Sequence, residues 1–453
     1  MKFIQTKNLL IIIGIILLNS NMAMAQNPAI TTIGIKEAAG LITTTHHFKI
    51  SNDGENIYDF LDQKDHFIFQ TKKENDPKST IFSFNNPMTV KGNLYPNSKS
   101  RALTAIDNGL VLLTKSETSD MDSYNFYDLQ KQSIVMPLVF MKNSNGMTGK
   151  IISFKRKTGD AIMVTALYSD SKANSMMVKS WFIKPNLVAG INMPALLGPG
   201  DVSENVLFSY TVEKTNELEI TGADCSEDGS YGALSFKTNS SDKDSKIYTW
   251  NRATKTWSTS KFTFKFKMVY DVANLSFNTD GYLSAYFEIS GRGDNYFVIN
   301  PVTAKTVFSQ EILVIGSFDE NLVISKNGGL YAMVEYSGKD LIKGQTKITV
   351  HKMKSNKVLA TLVLPDDSKR ALQRGLSSIS GKYEFYDSDN GIQAIDATPD
   401  FKSLAVLSIY SDIVKGNSES GLQYNPLNQY YDIYDLSYLM KEDDLELKPL
   451  KVQ

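Results

Sequence analysis

The chain has 453 residues, 42% of them hydrophobic and 11% aromatic, with 48 Lys and Arg against 49 Asp and Glu and a formal net charge of −1. That balance excludes nucleic acid as the main partner, because phosphate neutralisation needs clustered Lys and Arg. The single cysteine, Cys225, excludes an intramolecular disulfide, so stability must come from a core, for which length and apolar content are ample. A lone Cys is most often a buried one, and Cys225 is expected to be structural.

At the N-terminus, Lys2 and Lys7 precede an apolar run at 9–18, broken by Gly14 and followed by Ala23-Met24-Ala25. This pattern predicts a signal peptide over residues 1–25, with cleavage before Gln26. The apolar run is short of the ~20 residues that span a bilayer. The expected protein is therefore exported, secreted or periplasmic, with no membrane span after cleavage. No Cys follows the cleavage place, so a lipid anchor is not expected.

Residues 27–50 hold two β-branched segments, 30–35 and 41–45, with no pairing partner beside them. A repeated unit then begins. Ser51-Asn52-Asp53-Gly54 is turn chemistry, in which Asp caps its own backbone and Gly accepts φ > 0, and strands follow at 57–60, 66–69 and 79–84. Ile106-Asp107-Asn108-Gly109 leads into 110–114, a polar loop at 115–123 and a strand at 124–128. Lys157-Thr158-Gly159-Asp160 leads into 161–168 and 176–183. The clearest copy is Asp224-Cys225-Ser226-Glu227-Asp228-Gly229, followed by strands at 231–236 and 247–250, a polar turn at 251–255, and a further run opening at Thr256-Trp257. Asn278-Thr279-Asp280-Gly281 precedes 282–289 and 296–300, and Ser325-Lys326-Asn327-Gly328 precedes 330–336, 347–351 and 357–363. The last copy is Thr398-Pro399-Asp400-Phe401, then 404–410, a long loop, and 430–435. The segment 368–376 reads as a short surface turn of helix, and 441–453 as a solvated, charged tail.

The turn-glycine place is filled by Gly54, Gly109, Gly159, Gly229, Gly281 and Gly328, and by Phe401 in the last copy. Most of these steps approach the ~40–50 residues of a four-stranded propeller blade. The longer steps coincide with extra material at 186–222 and 364–393. The predicted fold is all-β: one seven-bladed β-propeller of four-stranded antiparallel meanders over residues 26–440. A meander that is apolar on both faces must be covered by a neighbour on each side, and radial stacking supplies that cover. Residues 29–50 are expected to complete the last blade beside 430–436 and lock the ring.

The recurring Ser/Asn-x-Asp-Gly turn, with Ile247-Tyr248-Thr249-Trp250-Asn251, Phe297-Val298-Ile299-Asn300-Pro301 and Tyr431-Asp432-Ile433-Tyr434-Asp435-Leu436, resembles the repeats of the WD40-like, YVTN and TolB-like propeller families. The Gly-His and Trp-Asp dipeptides of true WD40 repeats are absent. The resemblance implies a propeller and, most often in such families, a binding or assembly surface. It carries over no catalytic residue.

Candidate chemistry is sparse. His46 and His47 are adjacent and point to opposite faces of a strand, and His66 and His351 lie on separate strands, a poor set for chelation. No His-Glu-x-x-His, P-loop, Gly-x-Gly-x-x-Gly or Gly-x-Ser-x-Gly pattern is present. Paired acids occur at Asp120 and Asp122, at Asp242 and Asp244, and at Asp387 and Asp389. Asp387-Ser388-Asp389-Asn390-Gly391 opens like a calcium loop, but its twelfth place is Thr398, where a bidentate Glu is required. Asp387 and Asp389 are thus the metal candidates, calcium the one cofactor considered, and solvated turn acids the default reading. Arg292-Gly293-Asp294 reads as ordinary loop chemistry. Asn239 and Asn274 match the glycosylation acceptor pattern, which matters only on a eukaryotic secretory route. The 22 Tyr and 23 Phe read first as packing between sheets and second as a surface for sugars. The function expected is a monomeric, non-enzymatic binding protein that holds a protein or carbohydrate through rim loops or the central channel. The competing expectation is a hydrolase or lyase with a carboxylate or metal site at the axis. A structural envelope component is a third.

Overall fold

The computed structural model describes residues 30–447 with gaps, the longest at 37–45, 72–79, 95–109, 337–345, 364–374 and 415–422. Asp387 and Asp389, Asp242, Asn239 and residues 1–29 lie outside the described residues. Among those described, six four-stranded sheets and one five-stranded sheet account for nearly all of the regular structure, with three short hairpins and two 3₁₀ turns. The fold is a β-propeller. The fourth sheet shows the plan: Ile220–Cys225, Tyr231–Phe236, Asp244–Asn251 and Thr256–Thr263 hydrogen-bond in chain order as an antiparallel meander.

Among the described residues, six of the seven sheets open one strand earlier than the turn-first reading of the sequence implies; in the second, the first described strand is Leu110–Glu117, after the turn. The Ser-x-Asp-Gly turn joins the first strand to the second, so the strand before the turn is the innermost of its sheet. The turn itself behaves as expected. In the fourth sheet the Gly229 N–H donates to the Ser226 carbonyl at 3.0 Å, the Tyr231 N–H donates to Ser226 Oγ at 3.0 Å, and Gly229 sits at φ +72°. In the seventh, Phe401 takes the same place at φ +57°. That conformation is costly for a side chain with a Cβ, and it is held by complete burial of the ring in the core shared with the sixth sheet.

The core lies between sheets, as a two-faced meander requires. One cluster joins the second and third sheets through Phe126, Phe140, Val164 and Trp181; another joins the third and fourth through Phe182, Phe208, Leu234 and Cys225. Cys225 is fully buried, as the sequence suggests. Trp250 and Trp257 pack against each other and against that second cluster, with ring centroids 5.1 Å apart.

The strand Ile30–Lys36 pairs antiparallel with Gln423–Asp435, placing Ile30 opposite Tyr434 and Lys36 opposite Asn428. The segment expected to loop at 115–123 is instead a tight turn between the strands Leu110–Glu117 and Met121–Asp128, closed by the Thr118 N–H on the Met121 carbonyl at 2.8 Å. The long loop after 410 is largely a hairpin, because Ser403–Val414 and Gln423–Asp435 continue their pairing well past the sheet. Its composition suits a strand as readily as a loop, which is why composition misses it. Residue 376 belongs to the strand Gly375–Ile379 rather than to a helix. The tail is not wholly solvated: Glu442 pairs with Lys352 at 2.9 Å, and Leu447 packs on the cluster around Tyr286 and Tyr331.

The extra material at 186–222 splits in two. The strand Val206–Glu213 is the outer strand of the third sheet and Ile220–Cys225 the inner strand of the fourth. What remains reaches back to the second sheet, where Ala195–Leu197 adds in parallel to Ser133–Met141 and covers its edge. Lys179 Nζ donates to the Pro199 carbonyl at 2.8 Å and Trp181 Nε1 to Asp201 at 2.7 Å, which anchors this return.

Candidate functional site

Six innermost strands, from six different sheets, converge on one cavity of about 440 Å³. Its wall is made by the last residues of each strand and by the turn that follows, so equivalent places in the repeat lie side by side around it. Lys49 comes from the first sheet, Lys155 and Lys157 from the third, Asp224 and Glu227 from the fourth. Asn274, Ser276 and Asn278 come from the fifth, Lys326 from the sixth and Asp396 from the seventh. Inner strands of a propeller run alongside the axis, and a cavity lined by six of them is the axial one.

Neighbouring sheets are stitched together by these same residues. Asp224 accepts the Phe277 N–H of the next sheet at 2.8 Å, and Asp396 accepts the Ile50 N–H at 2.9 Å. Both Asp residues stand two places before the first residue of their turn, so one local position performs the same task in two sheets. The turns also link directly: the Thr279 N–H donates to the Lys326 carbonyl at 3.1 Å, and the Lys326 N–H to the Pro399 carbonyl at 3.4 Å. Glu227 receives the Thr158 N–H at 2.8 Å on one oxygen and pairs with Lys326 at 2.7 Å on the other.

The charges are arranged in depth. Asp224 is 2% exposed and lies 2.7 Å from Lys157 Nζ, whose side chain is 6% exposed, while Lys155 stands 3.7 Å from the same carboxylate and is 32% exposed. Burial by itself would raise Asp224, but the charges of Lys155 and Lys157 and the bonds from Lys157 and Phe277 hold its carboxyl below the usual range. Burial likewise works against the charge of Lys157, and Asp224 overcomes it, so that the ammonium stays protonated more firmly than in water. Asp396 differs. Its carboxyl is also buried, its cation Lys49 is 48% exposed at 3.3 Å, and burial prevails, pushing it above the usual range. Cys225, beside Asp224 in sequence, has its thiol pushed up to about 12 by burial. It is therefore not a nucleophile.

Most of these residues were not singled out from sequence. In sequence Glu227 is an ordinary turn acid, and Lys49, Lys155, Asp224 and Asp396 are strand residues with no distinctive local pattern. A usable signal was present: the place two before the turn is charged in four copies, Lys49, Lys155, Asp224 and Asp396. Of the histidines, His351 lies in the sixth sheet, stacked on the Tyr331 ring with centroids 4.7 Å apart, and does not line the cavity. Asp122 pairs with Lys142 at 2.6 Å, away from the axis. In the Arg-Gly-Asp segment, Asp294 accepts from Ser309 Oγ at 2.5 Å and the Gly293 N–H donates to Glu311 at 2.6 Å, both ordinary loop bonds. Among the described residues there is no group of three or more His, Cys, Asp and Glu placed to hold a metal ion, and no helix long and apolar enough to cross a membrane.

No protein-family pattern matches the chain, and no curated protein matches it in sequence. Among solved structures, it is similar to an oligogalacturonate lyase from Vibrio parahaemolyticus at 9% identity and TM-score 0.46, covering 91% of this chain and 100% of that one. It is also similar to the Cps50 (Swd1) β-propeller domain of Myceliophteria thermophila, at 8% identity, TM-score 0.42 and coverage of 87% and 97%. The WD40 domain of SCAP from fission yeast gives 8% identity, TM-score 0.40 and coverage of 91% and 99%. Likeness at this level says nothing about chemistry; the propeller fold itself is read from the strand order and from the convergence of six inner strands on one cavity.

Proposed function

We propose that this protein is an exported, non-enzymatic binding propeller, acting as a monomer, and that it holds its protein or carbohydrate partner at the axial cavity. Export follows from the pattern of residues 1–25, and the monomer from the absence of any need for a second chain to complete the site. One observation carries the preference for binding over hydrolysis or lyase chemistry: among the described residues, every carboxylate on the cavity wall is already committed. Asp224 holds Lys157 and the Phe277 N–H, Asp396 holds Lys49 and the Ile50 N–H, and Glu227 holds Lys326 and Thr158. A general acid or base must have a proton position open to substrate, and these oxygens are used to join sheets. What is left facing the cavity is a polar wall of amides, hydroxyls and ammonium groups, suited to hydrogen-bonded recognition.

The test is a cavity-filling variant. Ser276→Trp places a large side chain on the wall, while the outer loops are untouched. Binding to glycan arrays and to proteins of the extracellular fraction is then compared with the parent protein. Partners bound by the parent and lost by the variant support the axial site. Partners retained move recognition to the rim, and cleavage of a bound oligosaccharide overturns the non-enzymatic reading.

A further inference from the structure

We infer that the axial cavity takes an anionic group, a carboxylate or phosphate carried by a small molecule, and that Lys155 is its principal ligand. The inference rests on the reading of the axial cavity as the recognition site and adds the chemistry of what enters it. The argument begins with charge. Two ammonium groups, Lys155 and Lys157, share the single carboxylate of Asp224. Lys157 is the partner at hydrogen-bond distance and is almost wholly buried. Lys155 is left 3.7 Å from the carboxylate, with one hydrogen bond of 2.8 Å to the Leu275 carbonyl. An ammonium has three donors. One is used by that carbonyl, and a third of the side chain is open to the cavity.

The rest of the wall biases the cavity the same way. Lys49 and Lys326 are 48% and 33% exposed, whereas the carboxylates they face, Asp396 and Glu227, are 12% and 26% exposed. The cations therefore stand nearer the solvent-filled space than the anions that balance them. Arg156 is neutralised away from the cavity by Asp128 at 2.6 Å and Asp160 at 2.5 Å and contributes little. Just beneath the wall, Asn278 has its Nδ2 without a hydrogen-bond partner, its Oδ1 being used by the Asp280 and Tyr282 N–H groups. A cation entering the same space would meet three ammonium groups before any free carboxylate.

The experiment is isothermal titration of the purified mature chain with citrate, inorganic phosphate and neutral maltotriose, at two salt concentrations. Expected is binding of citrate or phosphate that weakens with salt. It falls at least tenfold in Lys155→Met, survives in Lys155→Arg, and is unchanged in Lys261→Met, an exposed lysine on an outer strand. Citrate binding alone marks a carboxylate site, and phosphate binding alone a phosphate site. Thermal melting of each variant confirms that it is folded, and the Arg variant keeps the test valid if Lys155→Met is not. The inference is overturned if neither anion binds at millimolar concentration, or if binding is the same in Lys155→Met and the parent. Maltotriose binding that disappears in Ser276→Trp, without anion binding, leaves the axial site standing and overturns the anion alone. Loss of no ligand in either variant removes both.

Discussion

Replacing Asp224 by Asn tests how the sheets are held together at the axis. The carboxylate receives Lys157 Nζ at 2.7 Å and the Phe277 N–H at 2.8 Å, in a site where its own side chain is 2% exposed and that of Lys157 is 6% exposed. Asparagine keeps one oxygen for Phe277 but presents an amide donor to an ammonium, leaving Lys157 charged, buried and unpaired. Breaking a buried pair from one side costs about 3–5 kcal/mol. The double variant Lys157→Met with Asp224→Asn removes both charges while the asparagine oxygen still accepts the Phe277 N–H, and Lys155, being partly exposed, stays hydrated. That variant is expected to recover most of the loss, because replacing both members of a buried pair by uncharged residues is close to neutral. Urea unfolding at pH 7 reads both. The pH dependence gives a second check with a definite sign. Asp224 is held below its ordinary pKa, so its contribution is complete above the unfolded value of about 3.9 and is lost as pH falls through the folded value. The parent therefore loses stability in acid that Asp224→Asn has already lost, and the two curves converge there. A loss below about 1 kcal/mol at pH 7, or a double variant no better than the sum of the singles, refutes this account of the pair.

Gly229 and Gly159 have almost the same φ, +72° and +71°, but a Cβ on Gly229 would lie 2.7 Å from the Phe182 ring while one on Gly159 meets nothing within 4 Å. Gly159→Ala should cost only backbone strain, about 1–2 kcal/mol, and Gly229→Ala clearly more; equal losses in denaturant midpoint would argue against the packing described between the third and fourth sheets. Cys225, buried with its thiol raised to about 12, should be inert to a thiol reagent such as Ellman's reagent at pH 8 until the protein is unfolded; rapid labelling of the native protein contradicts this. Deleting residues 27–45 removes the strand that pairs with Gln423–Asp435 and should lower the thermal midpoint, as expected if it locks the ring; an unchanged midpoint refutes that role. Asp396→Asn should cost less at pH 7 than Asp224→Asn, because Asp396 is held above its ordinary pKa and its charge is unfavourable there, a penalty relieved as pH falls through its folded value.

The repeat was legible because its determinants are local. Ser226, Asp228 and Gly229 bond within their own turn, and Tyr231–Phe236 and Asp244–Asn251 alternate well enough to be read as a hairpin. The same holds for the turn at Ser325 and, with Phe401 in the glycine place, at Thr398. The burial of Cys225 and the pairing of the 30–36 segment beside 430–434 were also within reach, since both follow from composition and from the need to cover a sheet edge.

The cavity was not legible. Lys49 and Asp396 are 347 residues apart in sequence yet 3.3 Å apart in space, and nothing in either segment names the other. A turn forms from a few neighbouring residues, so sequence by itself determined that a propeller repeat recurs and where its turns fall. Which strand of each unit faces the axis depends on how whole sheets pack, and only the tertiary structure decided it. The same packing decided that a partly exposed lysine, Lys155, shares the carboxylate of Asp224 with a second lysine, leaving the site with a cation to spare.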